Sequence, residues 1–563
     1  MGRQTVWQQF QRARISRRRF LGAMATGAAG LAVAAACRES APGAAEPPAS
    51  LPVAPGGTYK FPVAGDWGTL DPVTSVGFGT YVFPLMYNAL VDRSRLDAGY
   101  YYFDLAESLE QPDEETYVFH IRTGVRIAPN DLDVPERDLD AHDAAAWLTR
   151  LQDDARAVSH GFVKDWVSSF EAQDARTLVL RTNGPYAYAL FRIGSPLGGT
   201  IPPREFFERD IKLVDRGAGG GPFVLEPGSY IENEGLRLAR NRNYYRRAAS
   251  GDVLPYFDAV EATRLSDRLT RSVAFGDKQV HVYDAEGRGE VNELDGQVDG
   301  LQVIEEPVNT FVSFVMNPAR APWTDERLRR AALHALNRQD FVDVIVGPGE
   351  GEPNGLVHWP LRDFALPPDE LERLQRYDPA ESRALIRAAT GEDSIDIEVI
   401  YPMTDDEFHD RHVPIFLEQM REAGLNVRQK PGGIGDWLVK YQRLEYDATL
   451  ALNQVYETAE IPLDFHSANG PQGGRIYATG IGGLYPEVEE AILASKRAAD
   501  PAEHAQRVLD AQRLIYSKAP ASLPIMSWMN YTLYQPFVRN VPRGLGSTGL
   551  YLTNEMWLDQ DAM

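Results

Sequence analysis

With 57 basic against 80 acidic side chains, this chain of 563 residues carries a formal charge of −23, which excludes a protein that grips nucleic acid through a broad cationic surface. Its length exceeds a typical domain of roughly 100–200 residues, so two or three folded units are expected. The single cysteine, Cys37, excludes intramolecular disulfides and multi-cysteine metal or iron–sulfur centres by arithmetic.

The first 36 residues carry six arginines and no lysine or acid, so their removal leaves an even more acidic protein. Arginines 12, 14, 17, 18 and 19 precede an apolar, Ala- and Gly-rich stretch from Phe20 to Ala36. That stretch is shorter than the roughly 20 residues of a membrane span, and a charged entry, modest apolar core and small residues before cleavage make a signal peptide. SRRRFLG resembles the twin-arginine export signal. The three alanines before Cys37 resemble a lipoprotein cleavage site, whose cysteine is acylated and becomes the new amino terminus, although Ala34 stands where such sites favour leucine. Ordinary cleavage after Ala34-Ala35-Ala36 is the alternative. Residues 38–58 are rich in Pro, Ala and Gly and read as a flexible tether.

Folded structure is expected from Tyr59. In YVFHIR, Tyr117, Phe119 and Ile121 alternate with Val118, His120 and Arg122, the period of a strand with one buried face, and RTLVLRTN repeats the style at 176–183. Asp140 and Asp143 open a helix through AAAWLTRL; the acidic run before them lacks the glycine and terminal glutamate of a calcium loop. The glycine cluster at 217–221 lacks phosphate-loop spacing and reads as a close backbone crossing. From 306 strands and helices alternate. VNTFVSFVMN is an apolar strand, and Thr324 caps a helix with Asp325 and Glu326 in its first turn. Asp378-Pro379-x-Glu381 opens a helix stopped by Gly391, and Asp500-Pro501-x-Glu503 opens another, running to about Lys518. IDIEVIY, LNVRQK and YDATLAL are strands, VPIFLEQMREAG a helix ended by Gly424, and a further helix surrounds Trp437. The tail segments SLPIMSWMN and YTLYQPFV are strand-like and need partners from earlier in the chain.

Catalytic signatures such as HExxH, GxSxG and HRD are missing from the sequence. His409 and His412, beside Asp405, Asp406 and Glu407, have a spacing that a metal site permits, but an acidic helix start with solvated imidazoles explains them better and no metal is expected. A carboxylate pair at glycosidase separation leaves no mark in a sequence. Aromatic side chains in polar, loop-like surroundings suit a wet ligand cleft, and the candidates are Trp67, Tyr81, Trp437 and Tyr456.

Taken in order, LDPVTSVGFGTYVFPLMYNALV, LAESLEQPDEETYVFHIRTGVRI, GGGPFVLEPGSY, NRNYY, FVSFVMNPARAPWTDERLRRAALHALNRQDFVDVIVGPG and FLEQMREAGLNV resemble the extracytoplasmic solute-binding proteins of ABC importers, family 5, the dipeptide/oligopeptide-binding class. The resemblance implies an α/β, two-lobed periplasmic-binding-protein-like fold of type II, with an extra α+β subdomain and a ligand cleft between the lobes. Mapped on this chain, it gives lobe I at 59–88, 215–305 and 516–563, the extra subdomain at 89–214, and lobe II at 306–515. It implies a monomer without cofactor or catalysis, tethered by lipid at Cys37, that passes its ligand to membrane permease subunits. In peptide binders of this class an aspartate meets the ligand's α-ammonium; Thr458 occupies that position here, with Glu457 and Glu460 beside it and Val455 in place of a tryptophan. Glu457 or Glu460 is therefore expected to meet a ligand amine. A peptide, an oligosaccharide, an opine-like compound and a metal chelate stay open as ligands, and an exported hydrolase such as a glycosidase is the alternative.

Overall fold

The computed structural model describes residues 53–541 and 554–563 apart from 66–68, 76–80, 94–100, 158, 195–198, 309, 359–360, 404–410, 454–457 and 469–479. Cys37, Trp67, Asp405, Asp406, Glu407, His409, Val455, Tyr456 and Glu457 lie outside the described residues. Among those described, no helix is long and apolar enough to cross a membrane.

The first unit is built on a four-stranded sheet. Thr58–Val63 pairs in parallel with Ala259–Arg264, which continues antiparallel to Gly235–Arg240 and then Phe223–Leu225. Tyr59, Phe61 and Val63 are buried while the residues between them are half-exposed, so alternation sets which face meets the core. The glycine cluster does cross another backbone closely: a Cβ on Gly219 or Gly221 would lie 2.4 or 2.5 Å from the main chain of Met86.

A second antiparallel sheet has the order Ala106–Glu110, Thr116–Ile121, Thr177–Thr182, Val167–Asp174. Tyr117, Phe119 and Ile121 form its buried face, as their spacing predicts. The helix Ala141–Asp153 packs on it, opened by a reciprocal cap between Asp140 and Asp143. Asp143, fully buried, also accepts two hydrogen bonds from Arg137 at 2.7 and 2.6 Å, and Arg137 reaches on to Glu205. One apolar core runs through both sheets, joining Tyr59 and Phe61 of the first to Phe119, Trp147 and Leu180 of the second. The two sheets therefore belong to one body.

The second unit has its own core around Phe314, Leu333, Ile386 and Ile515. Its strands are Phe311–Met316, Ala448–Asn453, Ile395–Met403 and Leu425–Gly433, in that spatial order. The helices between them end where the sequence says: Asp378 caps Pro379–Thr390, Gly391 takes a left-handed conformation after it at φ 83°, and Asp500 caps Pro501–Ser517. One cap differs. Asp325, not Thr324, accepts the amide of Arg327 and opens Glu326–His334, because the longer-range charge of a carboxylate suits the amide-rich helix start better than a hydroxyl does.

Candidate functional site

The chain joins the two units at two narrow passages. It leaves Gln302–Pro307 in the first unit and enters Phe311–Met316 in the second. The long strand Ser522–Tyr534 returns, pairing by Ser522–Met526 with Phe311–Met316 and by Met529–Tyr534 with Gln302–Pro307. Between those pairings sits Ser527, fully buried, whose hydroxyl donates to the Thr310 carbonyl at 3.0 Å and accepts from Asn354 Nδ2 at 2.6 Å. Both crossings are thus pinned to one another by this hydroxyl and by a main-chain bond from Val308 N to the Trp528 carbonyl at 2.8 Å. Paired crossings of this kind are where two bodies rotate about a cleft.

A cavity of about 250 Å³ lies against this hinge. Glu286, Arg288 and Glu290 reach it from the first unit, Glu350 and Arg411 from the second, and Met529 and Tyr531 from the crossing strand. Arg411 donates to Glu286 across the gap at 2.7 Å. Arg288 holds Glu305 at 2.5 and 2.9 Å, lies 3.5 Å from Glu350, and stacks 4.7 Å above the Tyr531 ring. Tyr531 donates to Glu350, and its burial, then that carboxylate, pushes the phenol above its usual range. The Glu305 carboxylate in turn holds the Arg288 guanidinium above its ordinary value. A wall carrying both signs at close range can exchange its own ion pairs for pairs with a ligand that bears both charges. A second depression, about 730 Å³, is framed by the helices Pro486–Arg497 and Pro501–Ser517 with Glu114 and touches neither crossing.

Of the residues singled out by sequence, Tyr81 stands near this region: burial, and after it the charge of Asp284, raises its phenol. Asp284 lies in Val282–Ala285, two residues before Glu286, and accepts from the Thr532 hydroxyl at 2.8 Å. Nothing in VYDAEG marked it beforehand. Trp437 is buried inside the second unit with Phe311, Tyr441 and Tyr446, its indole N–H donating to Thr449 at 2.9 Å. Thr458 is half-buried. His412 is buried and stacks on Phe341 with ring centroids 6.0 Å apart.

Glu460 is fully buried and engaged by protein groups on both oxygens. Oε2 accepts from Arg192 Nε and Nη2 at 3.0 and 2.8 Å, while Oε1 accepts from the Tyr186 hydroxyl and lies 3.7 Å from Lys496 Nζ. Lys496 makes its closest ion pair, 2.6 Å, with Asp464. Burial by itself raises a carboxyl, but Arg192 and Lys496 together hold Glu460 below its usual range. Burial, only partly offset by Lys496 and reinforced by Glu460, pushes Asp464 up to about 7.

Residues 101–461 match the family described as bacterial extracellular solute-binding proteins, family 5 Middle. Among curated proteins, Di/tripeptide-binding protein 2 of Pseudomonas aeruginosa is 24% identical over 309 residues, spanning 51% of this chain and 54% of that relative, so the match covers about half of each. The dipeptide-binding protein of the same species is 20% identical over 78% of this chain and 82% of its own length. Among solved structures, DppA of Helicobacter pylori in complex with the peptide STSA gives a TM-score of 0.72 at 18% identity, covering 90% of this chain and 99% of that one. MoaA of A. tumefaciens R10, in complex with mannopinic acid, gives 0.74 at 19%, covering 90% and 100%. At these identities the likeness is one of fold: a two-lobed α/β periplasmic-binding-protein fold.

Proposed function

We propose a function from one premise: the chain belongs to the bacterial extracellular solute-binding proteins of family 5. It serves as the extracytoplasmic binding component of an ABC importer, shutting two lobes on a solute and handing it unchanged to membrane permease subunits. The supporting observation is the hinge cavity, where Arg411 of one unit and Glu286 of the other meet at 2.7 Å beside the crossing strand. A ligand that touches both lobes favours the closed state by its differential affinity and needs no bond made or broken.

The mixed charge of that cavity favours a small solute bearing both an amine and an acid over a neutral sugar, whose hydroxyls hydrogen-bond the ions but bring no charge to replace their ion pairs. A short peptide fits this description and agrees with the names of the peptide-binding relatives. An opine-like acid is the second reading, favoured by the equal likeness to the mannopinic acid binder. Glu457 is proposed as the contact for a ligand amine, from its place beside Thr458. Anchoring through an acylated Cys37 is proposed on the same terms.

The test is native mass spectrometry of the purified protein with the solute it retains, followed by calorimetry with di- and tripeptides and with mannopinic acid. One class is expected to bind and to be recovered intact. Recovery of a cleaved product would refute a pure binding role, and binding of neutral sugars alone would refute the zwitterionic ligand.

A further inference from the structure

Two interfaces of the extra sheet differ in chemistry. Against the first unit it is fused by apolar packing, in a core that includes Tyr186, Tyr188 and Ile193 together with Tyr59 and Phe61. Against the second unit the same 186–192 segment presents charge. Arg192 and the Tyr186 hydroxyl enter a cluster with Glu460, Asp464 and Lys496, whose neighbours Ala459, Leu463 and Ile492 belong to the second core. Side-chain exposure is 11% for Arg192, 8% for Lys496 and zero for both carboxylates. A main-chain bond from Ala187 N to the Lys496 carbonyl, 2.8 Å, an edge contact of Tyr188 with His504 at 5.1 Å, the Lys496 ammonium 5.7 Å above the Trp166 ring and Leu493 packed on the first core add to the contact.

We infer that this cluster is a clasp between the two lobes, closed when the cleft is closed and parted when a ligand enters or leaves. The inference rests on the lobe-closure reading above. The Tyr186–Glu460 bond joins residues 274 positions apart, in bodies that the chain itself connects only through the two hinge crossings, so rotation about the hinge acts directly on it. Its chemistry suits an interface that opens. Buried ions gain little over apolar packing in a permanent contact, but once parted they regain favourable hydration, whereas parted apolar surface meets water at a cost. Removing one ion leaves its partner buried and uncompensated, so each member weighs heavily on the closed state.

The experiment measures the distance between spin labels at Ser169 and Glu392, exposed sites on the two units, in the full chain with Cys37→Ser. The ligand-free protein is expected to populate a short-distance state that Arg192→Met depletes about tenfold or more. Tyr186→Phe, which keeps the ring stacked on Trp166 at 4.3 Å, depletes it to a smaller degree and guards against loss of fold in the first variant. A short-distance population unchanged in Tyr186→Phe and in any folded Arg192→Met, or absent from the parent, overturns the clasp. A single distance unaltered by every solute that calorimetry shows to bind would instead overturn lobe closure itself.

Discussion

Asn354→Ala tests whether the pinned crossings organise the hinge. Asn354 and Ser527 are both buried, and the change removes a 2.6 Å hydrogen bond and leaves the Ser527 hydroxyl with only the Thr310 carbonyl at 3.0 Å. A buried group deprived of its partner costs about 1–3 kcal/mol, here taken as about 2. For a unit of this size 1 kcal/mol moves Tm by about 2–4 °C, so the transition of the second unit is expected to fall by roughly 4–8 °C in calorimetry. Ser527→Ala in the Asn354→Ala background should then cost about 1 kcal/mol less than in the parent chain, because the two substitutions remove a shared bond. A Tm within about 1 °C of the parent, or strictly additive losses, would refute the reasoning: the crossings would then be held by their main-chain bonds alone.

Arg137→Met strips the buried Asp143 of its nearer guanidinium, leaving it Arg204 at 3.4 Å, and is expected to destabilise the first unit by about 1.5–3 kcal/mol, read by chemical denaturation. Trp437→Phe strips the indole donor from Thr449 and is expected to cost about 1–3 kcal/mol of stability with ligand affinity unchanged in calorimetry; lost affinity at unchanged Tm would place Trp437 in the cleft. Asp464, faced by Lys496, Glu460 and Arg192 with the Tyr186 and Tyr188 rings nearby, has a carboxyl pushed up to about 7 in the clasp, against about 3.9 in water. The clasped form therefore binds the extra proton between those values, acid favours it, and that advantage is lost as pH rises through about 7. The short-distance population of spin-labelled protein should accordingly fall between about pH 4 and 7, and a rise over that interval would contradict the assignment.

Much of the fold could be read from local pattern because local forces decide it. Asp378-Pro379 and Asp500-Pro501 satisfy helix-end amides within one turn, and Tyr117, Phe119 and Ile121 lie on one face whatever they pack against. The Thr324 cap slipped by one residue since adjacent oxygens compete for the same amides and the Asp325 carboxylate takes them. The site was far less legible. Glu460 stood out through its neighbourhood in the chain, yet its partners Tyr186 and Arg192 lie 274 and 268 positions away in a segment with no polar pattern. Asp284, Glu350 and Arg411 likewise look like ordinary surface charges until the crossing strand gathers them around the hinge.

The placement of charge follows from what each contact must do. Where the extra sheet meets the first unit, aromatic and aliphatic side chains fuse the two into one body, so a movement of either carries the other. Where the combined body meets the second unit, ions recur: Glu286 with Arg411 at the hinge, and Arg192, Glu460, Asp464 and Lys496 at the clasp. An apolar seam there would hold the lobes shut with or without a guest, because separating it exposes surface that water does not reward. An ionic seam recovers most of its cost in hydration on opening, so the difference between open and closed stays small enough for a ligand's contacts to decide it.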